Sequence, residues 1–204
     1  EVALLEWLQR AEVPIARMKV GIESHVVAQI PFDSKTKQSV LAVKHPKLQD
    51  QVRIYVKGAP ELVVPKCSTH YNEFNQKVPM SKNDQEYILN DVMRERMTTK
   101  GHRVIAFSYF DLAMRDFSFM QEQTENFTTD DSLRVLQQTQ TFLALVALKD
   151  PLRLNVAETL SYATYSGVNV RLCSGDNLET AKAQARDAGI LSAEEYDPFQ
   201  PEDD

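Results

Sequence analysis

The sequence predicts an α+β chain: a strand-rich region through residue 149, interrupted by helices, then an incomplete α/β segment. Short runs rich in valine and isoleucine, set apart by polar turns, recur from Val26 onward and read as strands. A long amphipathic helix bracketed by Ser81 and Gly101 breaks the series. After Lys149 the pattern becomes helix, strand, tight loop, helix, which is half of a doubly wound fold.

Residues 1–12 read as a helix, with Val2, Leu4, Leu5, Leu8 and Val13 near helical spacing. It opens without an N-cap before Glu1, so a longer natural chain is expected. Residues 26–30 and 39–43 read as two strands around a polar turn, and Val52-Arg53-Ile54-Tyr55-Val56 alternates as a third. That strand runs into Lys57-Gly58-Ala59-Pro60-Glu61, where Pro60 fixes the start of a short helix. Ser81 is a good N-cap with Asp84 three residues on, and Gly101 fits the C′ position. Between them Ile88, Leu89, Val92, Met93 and Met97 form an apolar face.

Residues 103–107 follow as a strand. Residues 111–139 are polar and read as a long loop or small insertion. Thr141 to Leu148 is the most apolar run and reads as a buried strand. Beyond the turn Asp150-Pro151-Leu152-Arg153, Val156, Leu160 and Ala163 mark a helix that Gly167 closes. Residues 168–173 read as a strand, 174–177 as a tight loop, and Leu178, Ala181, Ala185 and Ala188 as a helix ended by Gly189. Residues 194–204 carry six acids and no base, a polar tail.

The 204 residues, 43% hydrophobic and 25% charged, suffice for one full domain and part of a second. No run of about 18 apolar residues occurs, so no membrane span is expected. The start lacks the basic region and cleavage site of a signal peptide. Cys67 and Cys173 are too few for a disulfide scaffold. Cys67 and His70 have a metal-like interval, but no second ligand pair follows, so no metal site is expected. The net charge of −6 argues against a nucleic-acid binder. It is unevenly spread: over residues 35–57 Lys35, Lys37, Lys44, Lys47, Arg53 and Lys57 face only Asp50, giving +5. That stretch suits either lysines guarding strand edges or a local anion site.

Three motifs carry chemistry. Ser174-Gly175-Asp176-Asn177, between a strand and a helix, presents a hydroxyl and free N–H groups to an anion such as a phosphoryl oxygen. Read alone, it serves equally as a plain strand-to-helix turn. Lys57 beside Gly58 points a mobile charge at phosphate or ribose where a ligand approaches closely, or simply ends a strand. Phe32, next to the basic turn from Asp33 to Lys37, offers a ring to stack a nucleobase; the commoner alternative is a core phenylalanine.

In this order these segments resemble the cytoplasmic part of P-type cation-transporting ATPases, in the class that includes calcium pumps. The resemblance runs from Glu1 to about Ile190. It rests on Glu1-Val2-Ala3-Leu4-Leu5, Pro31-Phe32-Asp33-Ser34 with Lys37, Lys57-Gly58-Ala59-Pro60-Glu61, Gly101-His102-Arg103-Val104, Asp150-Pro151-Leu152-Arg153, and Ser174-Gly175-Asp176-Asn177 with Thr180-Ala181. Residues 170–172 look most like the calmodulin-regulated plasma-membrane type. The fold it implies is an antiparallel sheet with packed helices over residues 1–149, a nucleotide-binding domain truncated at its start. Residues 150–192 would be an incomplete haloacid-dehalogenase-like phosphorylation-domain segment, and 193–204 an acidic tail.

The roles it implies are specific. Glu1 and Phe32 match the residues that hydrogen-bond and stack the adenine of ATP. Lys57 and Gly58 line the base and ribose pocket, Lys37 lies near the phosphates, and Arg103 reaches the phosphate chain. Asp150 and Arg153 match the hinge to the phosphorylation domain. Ser174, Gly175 and Asp176 match a Thr-Gly-Asp element that contacts the transferring phosphoryl group; serine keeps the hydroxyl and loses the methyl that restricts its rotamer.

The family's Asp-Lys-Thr-Gly-Thr and Gly-Asp-Gly-x-Asn-Asp motifs are not found. The chain is therefore expected to bind ATP, with Mg2+ accompanying the nucleotide, and not to hydrolyse it. Its partners would be the phosphorylation, actuator and membrane domains of the pump, and its place the cytoplasmic side of a membrane. A stand-alone dehalogenase-like phosphatase or phosphotransferase would need an Asp-x-Asp nucleophile after an early strand, where Phe32-Asp33-Ser34 and Lys57-Gly58 stand instead. A non-catalytic interaction module is the other alternative, told apart by whether ATP raises the melting temperature.

Overall fold

The computed structural model describes residues 2–20, 25–45, 47–117, 138–176 and 178–192. Glu1, Asn177, most of the segment read as a loop or insertion, and the acidic tail lie outside the described residues. The chain divides into two compact units: residues 1–91 with 104–146, and residues 92–103 with 147–204.

The first unit holds the sheet, apart from the start of β6 and the end of β7. Its strands are β1 (Val26–Asp33), β2 (Gln38–Lys44), β3 (Gln51–Gly58), β4 (Cys67–Tyr71), β5 (Lys77–Pro79), β6 (His102–Ala113) and β7 (Gln140–Lys149), in the order β1-β2-β3-β6-β7-β4-β5. β1 to β2, β2 to β3, β3 to β6 and β4 to β5 are antiparallel. β4 lies parallel to β7, so the wholly antiparallel sheet that the resemblance implies is corrected to a mixed one. The sequence gives no warning of β4 and β5: Cys67-Ser68-Thr69-His70-Tyr71 has no apolar alternation, and its pairing with β7 is far apart in the chain. β6 reaches Ala113, past the predicted start of the loop at 111, because Gln51, Val52 and Arg53 of β3 pair with Ala113, Leu112 and Asp111.

Period-two alternation decides which face is buried. Val40, Ala42, Val52, Ile54, Val56, Ala106 and Phe110 are buried on one side of β2, β3 and β6. Val63, Val64, Cys67, Met80 and Phe117 complete that core. Fully burying a side chain such as Ile54 contributes about 1.5–3 kcal/mol. The short α3 (Pro60–Val63) starts on Pro60, as the sequence predicts, and packs against β3. α1 (Val2–Arg10) forms where helical spacing places it, buries no residue, and is followed by α2 (Ile15–Lys19). α4 (Lys82–Tyr87) starts on a capping box: the Ser81 hydroxyl accepts from Asp84 N–H at 3.2 Å, and the Asp84 carboxylate accepts from Ser81 N–H at 2.8 Å. The helix then widens into a π-helical stretch, Ile88–Glu95, and ends through a 3-10 turn on Gly101, whose φ of +75° suits glycine.

The second unit contains α5 (Val156–Tyr165) and α6 (Leu178–Asp187), with Met93, Thr98, Thr180, Ala183, Ala185 and Ala188 buried. Gly101 approaches Ala183 closely; a Cβ on the glycine would stand 3.2 Å from its methyl. The strand predicted for residues 168–173 is not formed. Its backbone has no strand partner among the described residues, and Val168 and Leu172 are exposed. An isolated strand is unstable because ladder hydrogen bonds and same-face packing come from neighbours.

Candidate functional site

Residues on the faces of β2, β3 and β6 turned away from the core form cross-strand rows. Ser39 pairs with Lys57, which pairs with Phe107; Leu41 pairs with Tyr55, which pairs with Tyr109. Over these rows lies a cleft of about 570 Å³, lined by Phe32, Ser39, Leu41, Tyr55, Lys57, Phe107 and Leu143 among others. That volume falls within the usual range for a small-molecule site. The sequence reading names Phe32 and Lys57, and the structure brings both into this cleft.

Phe32 reaches it through an irregularity. The β1–β2 register shifts between Ile30 and Asp33, and Pro31 removes one ladder donor. Phe32 is consequently 64% exposed, which sets aside the alternative of a core phenylalanine. The turn that follows is built by Asp33. Its carboxylate accepts from the N–H groups of Lys35 (3.3 Å) and Thr36 (3.2 Å), and its carbonyl accepts from Lys37 N–H at 2.7 Å. These backbone donors hold the Asp33 carboxyl below its ordinary pKa. Lys37 closes the turn in the left-handed region at φ +50°, and its carbonyl accepts from Ala59 N–H at 3.1 Å.

Gly58 is needed for that approach. A Cβ there would stand 2.6 Å from the Lys37 carbonyl oxygen and 2.5 Å from Gln38 Cγ. The space that the sequence reading reserves for a ligand beside Gly58 is taken, on the Cβ side, by β2. Nor is every basic residue of 35–57 available to an anion. Arg53 is bound through Nε and a terminal nitrogen to Asp111, at 2.7 and 2.9 Å, and lies 4.3 Å over the Tyr109 ring. The Asp111 carboxylate holds the Arg53 guanidinium further above its ordinary pKa.

The remaining candidates fall in the second unit, except Glu1, which lies outside the described residues. Arg103 donates from Nε and a terminal nitrogen to one Asp176 carboxylate oxygen, at 3.2 and 3.0 Å, and Gln184 donates to the same oxygen at 3.4 Å. The Ser174 hydroxyl accepts from Asp176 N–H at 3.1 Å, so that N–H is not free as expected from the loop sequence. Beside Gly175 a Cβ would meet nothing within 4 Å, so packing does not demand glycine there. Asp150 and Arg153 lie in an exposed segment without helix or strand; the Arg153 carbonyl accepts from Val156 N–H at 3.3 Å.

Ser39, Leu41, Tyr55 and Phe107 are site residues that the sequence reading missed. The usable signal was alternation itself: once the even positions of β2 and β3 are core, the odd ones share the opposite face with Lys57. Among the described residues no three of His, Cys, Asp and Glu gather to hold a metal ion, and no helix is long and apolar enough to cross a membrane.

A family model described as P-type ATPase, cytoplasmic domain N, matches residues 1–155. The chain is 31% identical over 194 residues to calcium-transporting ATPase 10, plasma membrane-type, of Arabidopsis thaliana, covering 95% of this chain and 17% of that protein. It is 30% identical over 170 residues to the Oryza sativa subsp. japonica calcium-transporting ATPase 10, plasma membrane-type (83% and 15%). It is 30% identical over 203 residues to sodium/potassium-transporting ATPase subunit alpha-4 of Homo sapiens (94% and 18%). The chain thus spans less than a fifth of the length of these relatives.

Proposed function

The chain belongs to the P-type ATPase cytoplasmic domain N family, and from that premise we infer that it is the ATP-binding region of a cation pump. It presents ATP to an aspartate elsewhere in the parent protein. The observation that carries this is the meeting of Phe32 and Lys57 in one cleft whose other walls are largely apolar. An exposed ring beside a cleft of that size is suited to stack adenine, a contact worth roughly 1–3 kcal/mol. A lysine on the same sheet face supplies a positive charge for ribose or phosphate.

Glu1 would hydrogen-bond the base, Lys37 and Arg103 would meet the phosphates, and Gly58 would line the pocket through its backbone. Asp150 and Arg153 would serve the hinge to the phosphorylation domain. Ser174, Gly175 and Asp176 would contact the transferring phosphoryl group, and the open space beside Gly175 supports such an approach. Residues 168–173 would become a strand of a haloacid-dehalogenase-like sheet when neighbouring strands of the pump flank them. Mg2+ enters only as a companion of the nucleotide phosphates. Partners are the phosphorylation, actuator and membrane domains of the parent, on the cytoplasmic side of its membrane. Calcium is the proposed cargo, after the names of the plant relatives.

The test is calorimetric titration of the chain with ATP. Phe32→Ala should weaken binding by about 5- to 150-fold, and Lys57→Ala should weaken it as well, whereas Ser174→Ala should leave it unchanged. A titration in which Ser174→Ala is the most damaging change overturns the assignment of affinity to the cleft.

A further inference from the structure

A base seated in this cleft has its faces covered by Phe32 and the apolar walls, but its edge still carries an amino group and ring nitrogens. On the proposed function Glu1 takes one hydrogen of the amino group; leaving the other hydrogen and the ring nitrogens unpaired away from water is costly, so the walls must supply partners for them. The polar side chains lining the cleft are Gln29, Ser39, Tyr55, Lys57 and Ser108. The Ser108 hydroxyl already donates to Gln140 Oε1 at 2.6 Å. Tyr55 is engaged by Arg53, and Lys57 has a partner within the protein. The Gln29 amide and the Ser39 hydroxyl have no hydrogen-bond partner among the described residues. Ser39 is nevertheless only 9% exposed.

Register places these two together. Gln29 stands opposite Leu41 across β1 and β2, and Ser39 lies two residues from Leu41 on the same face. Such diagonal neighbours lie about 7–8 Å apart at the backbone, close enough for long side chains to meet. We propose that Gln29 and Ser39 read the polar edge of the bound base and set a preference for adenine, an inference that rests on the nucleotide reading of the cleft. The Gln29 amide oxygen accepts from the adenine amino group while its N–H donates to an adjacent ring nitrogen, the two-point pairing that glutamine makes with adenine. The Ser39 hydroxyl, donor and acceptor at once, takes a further edge atom from the sheet side.

The experiment measures ATP and GTP affinities of the 204-residue chain by calorimetry for the unaltered protein, Gln29→Glu, Gln29→Ala and Ser39→Ala. A glutamate accepts only, so it repels the adenine ring nitrogen and suits the guanine N–H groups. Gln29→Glu should therefore lower the ratio of ATP to GTP affinity by about tenfold. The added charge repels both triphosphates and cancels in that ratio. Gln29→Ala and Ser39→Ala should each weaken ATP about three- to tenfold. Gln29 is exposed, so melting temperatures should not move with its substitutions. An unchanged ATP-to-GTP ratio in Gln29→Glu, in a chain that binds ATP and loses it on Phe32→Ala, overturns the edge-reading role alone. No ATP binding by the unaltered chain overturns the nucleotide reading and this inference with it.

Discussion

Val52-Arg53-Ile54-Tyr55-Val56 and Val168-Asn169-Val170-Arg171-Leu172 carry nearly the same alternation of branched apolar and polar residues. The first is the middle of a sheet, flanked by β2 and β6, with Val52, Ile54 and Val56 essentially without solvent contact. The second forms no strand, and Val168 and Leu172 are exposed at 54% and 44%. Alternation therefore permits a strand and does not make one. What makes it is a pair of neighbours that satisfy the backbone and a layer that covers one face. On the proposed function, residues 168–173 find those neighbours in the phosphorylation domain of the parent.

The two cysteines give the largest measurable contrast between these surroundings. Cys67 is 1% exposed, its thiol donates to the Val63 carbonyl at 3.4 Å, and burial pushes its pKa up to about 12. At neutral pH its thiolate fraction is more than about a thousandfold below that of an ordinary thiol near 8.5. Cys173, at the end of the unpaired segment, is exposed. Brief alkylation of the native protein, read by mass spectrometry of peptides, should label Cys173 and leave Cys67 unmodified until denaturant is added. Equal labelling would show that the core around β4 opens as readily as residues 168–173 do.

A smaller contrast tests the packing directly. Ile54→Ala removes a fully buried side chain from the core that also holds Val63 and Phe110, and should cost about 2–5 kcal/mol in denaturant unfolding. Leu172→Ala removes an exposed one and should stay within about 0.5 kcal/mol. A large loss from Leu172→Ala would mean that the segment is packed in solution, and the comparison with β3 would collapse.

The parts of the fold that were legible are those in which local chemistry and tertiary context agree. Ser81, Asp84 and Gly101 bracket their helix because caps act within one turn, and all three do so in the structure. The alternation of Val52 to Val56 survives because both neighbouring strands are local hairpin partners or strong strand formers. β4 and β5 were invisible because their residues are polar and their place depends on β7, which follows them far along the chain. Of the candidate site, Phe32 and Lys57 were readable from adjacent turn residues. Gln29, Ser39 and Tyr55 were not, since a residue on an open sheet face is identified by register, and register is a property of pairs.

The turn between β1 and β2 sharpens the lesson with the smallest expected effect. Here a single carboxylate, that of Asp33, organises the chain from within the turn, by accepting from the N–H groups of Lys35 and Thr36. Its pKa is lowered in the folded chain, so the carboxylate form is the one the fold favours. The sign follows: the contribution is fully present above the ordinary aspartate value near 3.9, and is lost as pH falls through the lowered folded value. The amide resonances of Lys35 and Thr36 should hold steady from pH 8 to about 5 and move together only below about pH 4. Asp33→Asn, which keeps one acceptor oxygen and loses the charge, should weaken the turn without reaching the Ile54 core. A common midpoint for those amides well above the ordinary aspartate value would show that another group orders the turn, and that Phe32 is held beside the cleft by something other than this carboxylate.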